Sequence, residues 1–161
     1  MARILNYGSL NIDHVYSVPH IVRPGETISA VGFKDFPGGK GLNQSVAMAR
    51  AGAMVFHAGK IGIDGEFLKE ILVADGVDCT WLKNSGGLGG SAIIQKDADG
   101  QNAIICYAGS NGEISPAEID EVLAHFQEGD ILVSQNEISN VPYPVSYTHL
   151  RAHETGAHLV C

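Results

Sequence analysis

Gly38-Gly39-Lys40-Gly41-Leu42-Asn43-Gln44-Ser45 is the stretch on which the reading of this chain turns. Beyond it Leu42, Val46, Ala49 and Ala53 recur at helical spacing. Gly52 stands where a helix C-terminus needs one, so the spacing predicts a helix over 41–52. Glycines at a helix N-terminus let backbone N–H groups converge on a polar ligand, and the helix dipole favours an anion there. The spacing fits neither G-x-x-x-x-G-K-[ST] nor G-x-G-x-x-G. Taken alone, the stretch serves equally well as a plain capping turn.

Upstream, Arg3–Tyr7 reads as a short strand entering the polar turn Gly8-Ser9. Residues 15–18 and 27–33 read as strands separated by Pro24-Gly25. Downstream come an apolar strand over 54–59 and a helix over 65–74 with Phe67, Leu68, Ile71 and Leu72 on one face. Segments 91–95 and 103–107 flank Asp97-Ala98-Asp99-Gly100, a hairpin signal because Asp-Gly tolerates positive φ. Ser115-Pro116-Ala117-Glu118 has the capping-box pattern with Pro at the first helical position. Ile119, Val122, Leu123 and Phe126 supply that helix's buried face, and 131–133 is a further buried strand. Helices alternating with apolar strands predict an α/β fold built on a parallel sheet with flanking helices, and the hairpins predict a small antiparallel β appendage.

Composition agrees. The 161 residues are 45% hydrophobic and 17% charged, which supports one packed domain rather than disorder. Twenty glycines are about twice the usual share, clustered as tight turns. A formal charge of −8 argues against a nucleic-acid partner. Three cysteines without framework spacing suggest free thiols in a reducing, cytoplasmic setting. No apolar run is long enough for a membrane span.

In combination these motifs resemble the ribokinase family of PfkB-type carbohydrate kinases. That family's N-terminal signature is matched by Gly38-Gly39, Gly41, Asn43, Ser45, Gly52 and Gly62. Gly8-Ser9-Leu10-Asn11-Ile12-Asp13 resembles its first-strand exit, and Gly59-Lys60-Ile61-Gly62-Ile63-Asp64-Gly65 its second strand-to-helix turn. Asn136-Glu137 follows the 131–133 strand where the family carries a sugar-binding Glu. The likeness runs from about Arg3 to Tyr143.

The resemblance implies ATP-dependent phosphorylation of a sugar hydroxymethyl group, with D-ribose favoured over the substrates of fructokinases, deoxyribokinases or adenosine kinases. It implies substrate binding by Asn11, Asp13, Gly39, Lys40, Gly41, Asn43 and Glu137. Asp13 and Glu137 would accept hydrogen bonds from hydroxyls, Asn11 and Asn43 would donate and accept, and Gly39 would let the backbone approach the ring. Lys40 would direct a cation at the sugar or at transferred phosphate. Each residue also has a plain structural use: Asp13 ending a strand, Asn43 serving a helix start, Lys40 as a solvated charge. The lid strands, over about 14–36 and 90–108, are expected to cover the sugar and to form a homodimer.

The family's second signature, an Asp-Thr-x-Gly-Ala-Gly-Asp-type loop, does not occur in these residues. With it would come the catalytic base, the ATP site, Mg²⁺ and a monovalent cation such as K⁺. The expectation is therefore a truncated kinase domain over 1–143, inactive by itself, with a non-catalytic sugar-binding half-protein as the alternative. A parallel sheet that stops after 131–133 predicts an unpaired edge and poor folding in isolation. The tail, 144–161, is expected to be non-native or disordered, since 145–155 resembles translated sequencing-adapter read-through. His149 and His153 lie four apart beside Glu154, but H-E-x-x-H would need a His where Ala157 stands, so no metal site is expected.

Overall fold

The computed structural model describes residues 2–145 and 151–155. Its main sheet is built around three largely buried apolar segments. β1 (Arg3–Tyr7) is flanked by β4 (Met54–Ile61) and β8 (Ile131–Gln135), with β5 (Asp78–Asn84) beyond β4 and β9 (Arg151–Thr155) beyond β8. All pairings in this five-stranded sheet are parallel. Alternation along β1 and β4 sends Leu5, Tyr7 and Ala58 into a core with Ile119, Val122 and Leu123 of α3 (Pro116–Leu123) and with Phe126 just beyond it. Val55 and Ile61 enter a second core with Leu42 of α1 (Lys40–Arg50) and Leu68 and Leu72 of α2 (Glu66–Ala74). The expected capping box is present at α3, where Ser115 Oγ and the Glu118 side chain bond each other's backbone N–H.

From β1 the chain builds outward through β4 to β5, then returns across to β8 on β1's other side. The strand order therefore reverses at β1, and open α/β sheets form their ligand crevice at the carboxyl ends of the strands at such a point.

The second sheet, the lid, comprises β2 (Asn11–Ser17), β3 (Gly32–Gly38), β6 (Gly90–Lys96) and β7 (Asn102–Tyr107) in the order β3-β2-β6-β7. It is mixed, which corrects the expectation of an antiparallel lid: β2/β3 and β6/β7 are antiparallel hairpins, but the central β2/β6 pair is parallel. The reason is topological. β2 and β6 each continue from the carboxyl end of a parallel strand, β1 and β5, so both leave the main sheet in the same direction. The strand expected over 27–33 begins only at Gly32. Its register sets Gly38 opposite Asn11 and Gly32 opposite Ser17, so residues before Gly32 have no partner strand. β5 carries no continuous apolar run, because it is an edge strand with alternating half-burial.

Beyond residue 143 the structure differs from a chain that simply stops. One helical turn, Pro142–Val145, is followed by β9, which pairs with β8 from Ile131↔Arg151 to Gln135↔Thr155. An open parallel edge presents unpaired N–H and C=O groups that an extended segment satisfies. His149 and His158 fall outside the described residues.

Leu5 is wholly buried at the centre of the sheet. Leu5→Ala is expected to cost roughly 2–5 kcal/mol with an unchanged denaturant slope, checked by urea unfolding. A loss below about 1 kcal/mol would contradict this packing.

Candidate functional site: a carboxylate at a helix start and a polar cavity

Helix α1 begins without a side-chain cap of its own, because Gly39 is its N-cap residue. Gly39 has φ 97°, and a Cβ there would press on the Ser9 carbonyl and the Asn11 amide, so the tight passage from lid to helix needs glycine. The first amides of the helix are nevertheless satisfied. Lys40 N–H donates to Glu137 Oε2 (3.0 Å), Gly41 N–H to Ser9 Oγ (3.2 Å) and Leu42 N–H to the Ser9 carbonyl (3.0 Å). Ser9 Oγ donates to Glu137 Oε2 (2.7 Å), and Lys40 Nζ reaches Glu137 Oε1 (2.7 Å). The anion expected at this helix start is thus the chain's own Glu137. Burial alone would push its carboxyl up, but the bonds from Lys40 and Ser9 outweigh burial and hold it below the usual carboxylate range.

Under this turn lies a buried polar network that sequence reasoning missed. Gln135 Nε2 donates to Asn6 Oδ1 and to Gln44 Oε1 (both 2.6 Å), while its Oε1 accepts from Ser9 N–H (3.3 Å). Asn6 Nδ2 donates to the Gly41 carbonyl and to Ser45 Oγ (both 2.8 Å). Ser45 Oγ lies 2.8 Å from His57 Nδ1, and His57 Nε2 lies 3.2 Å from the Gly8 carbonyl. A carbonyl only accepts, so Nε2 carries the proton and Nδ1 accepts from Ser45. His57 is fully buried and neutral, its pKa driven down to about 4 by burial. The one available signal was the presence of polar residues at apolar-patterned strand positions: Asn6, His57 and Gln135.

A cavity of about 460 Å³ opens between the lid and the β8 exit. Asn11, Asn111, Asn136 and Glu137 supply its polar wall, and Cys106, Tyr107 and Ile138 part of the rest. Asp13 shares a lid face with Asn11, Phe36 and Ala92 by register. It is half-buried, and its carboxylate has no hydrogen-bond partner among the described residues. Burial, then the nearby charge of Glu137, push its pKa up, with His14 opposing. The structure thus brings Asn11, Asp13, Gly39, Lys40, Gly41 and Glu137 to one end of the sheet. Of the seven, Asn11 and Glu137 alone line the cavity itself, and Asn43 is exposed in the first turns of α1.

A model of the pfkB family carbohydrate kinases matches residues 1–153. The chain belongs to that family. Ribokinase of Haemophilus influenzae is 37% identical over 133 residues, covering 81% of this chain and 44% of that protein. The crystal structure of ribokinase from Cryptococcus neoformans var. grubii serotype A in complex with ADP superposes with a TM-score of 0.80 at 37% identity, covering 100% of this chain and 51% of that one. The structure of Arabidopsis thaliana ribokinase complexed with ribose and ATP gives a TM-score of 0.69 at 28% identity, covering 86% of this chain and 46% of that one. The chain therefore spans about half the length of the relatives it matches.

The family implies a nucleotide and its metal, but the described residues do not fit either. No group of three His, Cys, Asp or Glu side chains gathers among them. The amides of α1 and Lys40 Nζ are already engaged by the chain itself.

His57 makes the network acid-sensitive. The unfolded chain binds a proton at His57 below about pH 6.5, whereas the folded chain does so only near pH 4, so stability falls as pH drops through that interval. At pH 5 the loss from this residue is about 2 kcal/mol. Urea unfolding at pH 7.5 and 5.0 is expected to show this loss in the wild type and its absence in His57→Gln. Equal acid losses in both would assign the effect elsewhere.

Proposed function

We propose that this chain forms the sugar-holding part of an ATP-dependent carbohydrate kinase, with D-ribose as substrate and D-ribose 5-phosphate as product. The observation that carries the reading is Asp13, a half-buried carboxylate without a partner, beside Asn11 and facing the same end of the sheet as Glu137. Burying a carboxylate unpaired is costly, and a ligand that donates hydrogen bonds removes that cost. A sugar's vicinal hydroxyls do so. The ribokinase relatives and the ribose-bound structural neighbour support ribose in particular.

In the transfer, the sugar's hydroxymethyl oxygen bonds to the γ-phosphorus of ATP, the bond to the β,γ-bridging oxygen breaks and ADP leaves. The hydroxyl proton passes to a base. ATP with Mg²⁺ would supply the phosphoryl group and its charge neutralisation, and no described residue is assigned to hold either. None of the seven residues singled out here is placed as that base. Asn11 and Asp13 orient the sugar, the Glu137 carboxylate closes the cavity wall, and Gly39 and Gly41 fix the α1 turn beneath it. Phosphoryl transfer rests on positioning and charge stabilisation, so the 161 residues by themselves are proposed to bind ribose without phosphorylating it.

The lid's outer face, opposite Asn11 and Asp13, leaves Phe33, Ile93 and Ile105 exposed. An apolar face of this kind supports pairing with a second lid.

Asp13→Asn separates function from stability. Its raised pKa means that the folded state disfavours the charged form, so the wild-type fold gains stability as pH falls through the ordinary carboxylate range. The amide variant is expected to be more stable than wild type at pH 7, with the difference vanishing at acid pH. Ribose affinity is expected to fall about tenfold to a hundredfold, because a charged acceptor is lost from the site. Calorimetric titration and thermal unfolding check both arms. Unchanged ribose affinity in the folded variant would move the site elsewhere.

A further inference from the structure

Asn111 lies in a 3-10 turn, Gly109–Glu113, directly after β7, and is almost wholly buried. Its Oδ1 accepts from Leu10 N–H (3.1 Å) and its Nδ2 donates to the Leu10 carbonyl (3.1 Å). A backbone N–H only donates and a carbonyl only accepts, so Leu10 fixes which end of the Asn111 amide is oxygen and which is nitrogen. The second hydrogen on Asn111 Nδ2 goes to Asn11 Oδ1, 2.7 Å away. That atom of Asn11 must be the oxygen, because it receives an N–H. Asn11 Nδ2 is thereby turned away from Asn111, and it has no partner among the described residues. Asn11 and Asn111 both line the cavity. The clamp also needs Gly90: a Cβ there would overlap Asn111 Nδ2 and Asn11 Oδ1.

We propose that Asn111 is a positioning residue that compels Asn11 to present an N–H donor, and never its carbonyl, to the cavity. The inference deepens the sugar-binding reading above and rests on it for the ligand. Asn11 and Asp13 alternate onto one lid face, so the site offers a fixed donor beside an acceptor-only carboxylate. A vicinal diol satisfies both: one hydroxyl oxygen accepts from Asn11 Nδ2 while its neighbour donates to Asp13. A ligand with hydrogen in place of the first hydroxyl leaves the Asn11 donor unpaired, and sites built around such a bond reject the analogue lacking it. Asn111 acts through Asn11 and sets the polarity of this subsite.

Side-chain amide hydrogen exchange, followed by NMR on the whole 161-residue chain, tests the orientation directly. In the ribose-free wild type, the Asn111 amide protons are expected to exchange about tenfold or more slower than those of a free amide, and the Asn11 protons at the free-amide rate. Adding D-ribose is expected to slow Asn11 alone. In Asn111→Asp, the introduced carboxylate accepts from Asn11 and turns its carbonyl to the cavity. Protection is then expected to move to Asn11, and the ribose dissociation constant to rise about tenfold or more. If that variant does not fold, Asn11→Asp decides: it keeps an acceptor for Asn111 and removes the donor, while adding a carboxylate to the face that carries Asp13. It is expected to retain the Asn111 protection while losing ribose affinity to the same degree. Protected Asn11 protons in the ribose-free wild type, or freely exchanging Asn111 protons, would overturn the proposal, as would a folded Asn11→Asp that binds ribose like wild type. Failure of the wild type to bind ribose would overturn the sugar-binding reading instead, while the exchange pattern would still decide the orientation of Asn11.

Discussion

The Glu137 carboxylate at the start of α1 is the contact on which the rest of this end of the molecule depends. It gathers Lys40 N–H, Lys40 Nζ and Ser9 Oγ, and so ties together three segments far apart in sequence: the β1 exit, the first turn of α1 and the β8 exit. A helix start leaves amides without internal partners, and its dipole favours an anion there. Supplying that anion from the far side of the strand-order reversal fastens the helix to the sheet at the crevice. Glu137 is thus a wall of the cavity and a structural cap at once.

Below that contact, polar side chains replace apolar ones near the carboxyl ends of β1 and β8 and in the middle of β4. Asn6, His57 and Gln135 are buried there, yet each is satisfied, through Ser45, Gln44 and backbone groups of Gly8, Ser9 and Gly41. A fully satisfied network is directional in a way that a packed apolar layer is not. It holds the glycine turn at one height above the sheet. Its cost is a histidine that must stay neutral.

The lid obeys a different logic. It is anchored where β2 and β6 leave the main sheet, through the amide clamp of Asn111 on Leu10 and Asn11. Its outer strands β3 and β7 are largely exposed, while β2 and β6 between them are mostly half-buried and Ile12 of β2 enters the second core. The two sheets meet at short glycine-bearing passages, and the cavity lies where they meet.

The sequence by itself determined the elements with strong local signals: the helix after Gly38-Gly39, the capping box at Ser115, the Asp-Gly hairpin and the buried strands. Spacing and turn chemistry are local, and there the expectation and the structure agree. Six of the seven residues that the family resemblance implies for the site lie at one end of the sheet, and two of them, Asn11 and Glu137, line the cavity. Tertiary structure decided what spacing does not encode. The parallel β2/β6 pairing follows from two strands leaving one sheet in the same direction, and the late start of β3 from a register that Asn11 and Gly38 set across the hairpin. The edge strand β5 has too little burial to leave an apolar pattern. Partnership, above all, was decided in three dimensions. Glu137 became the cap of α1, and Asp13 stayed unpaired, because hydrogen bonds depend on which side chains the folded sheet brings within about 3 Å, and sequence separation carries no such distance.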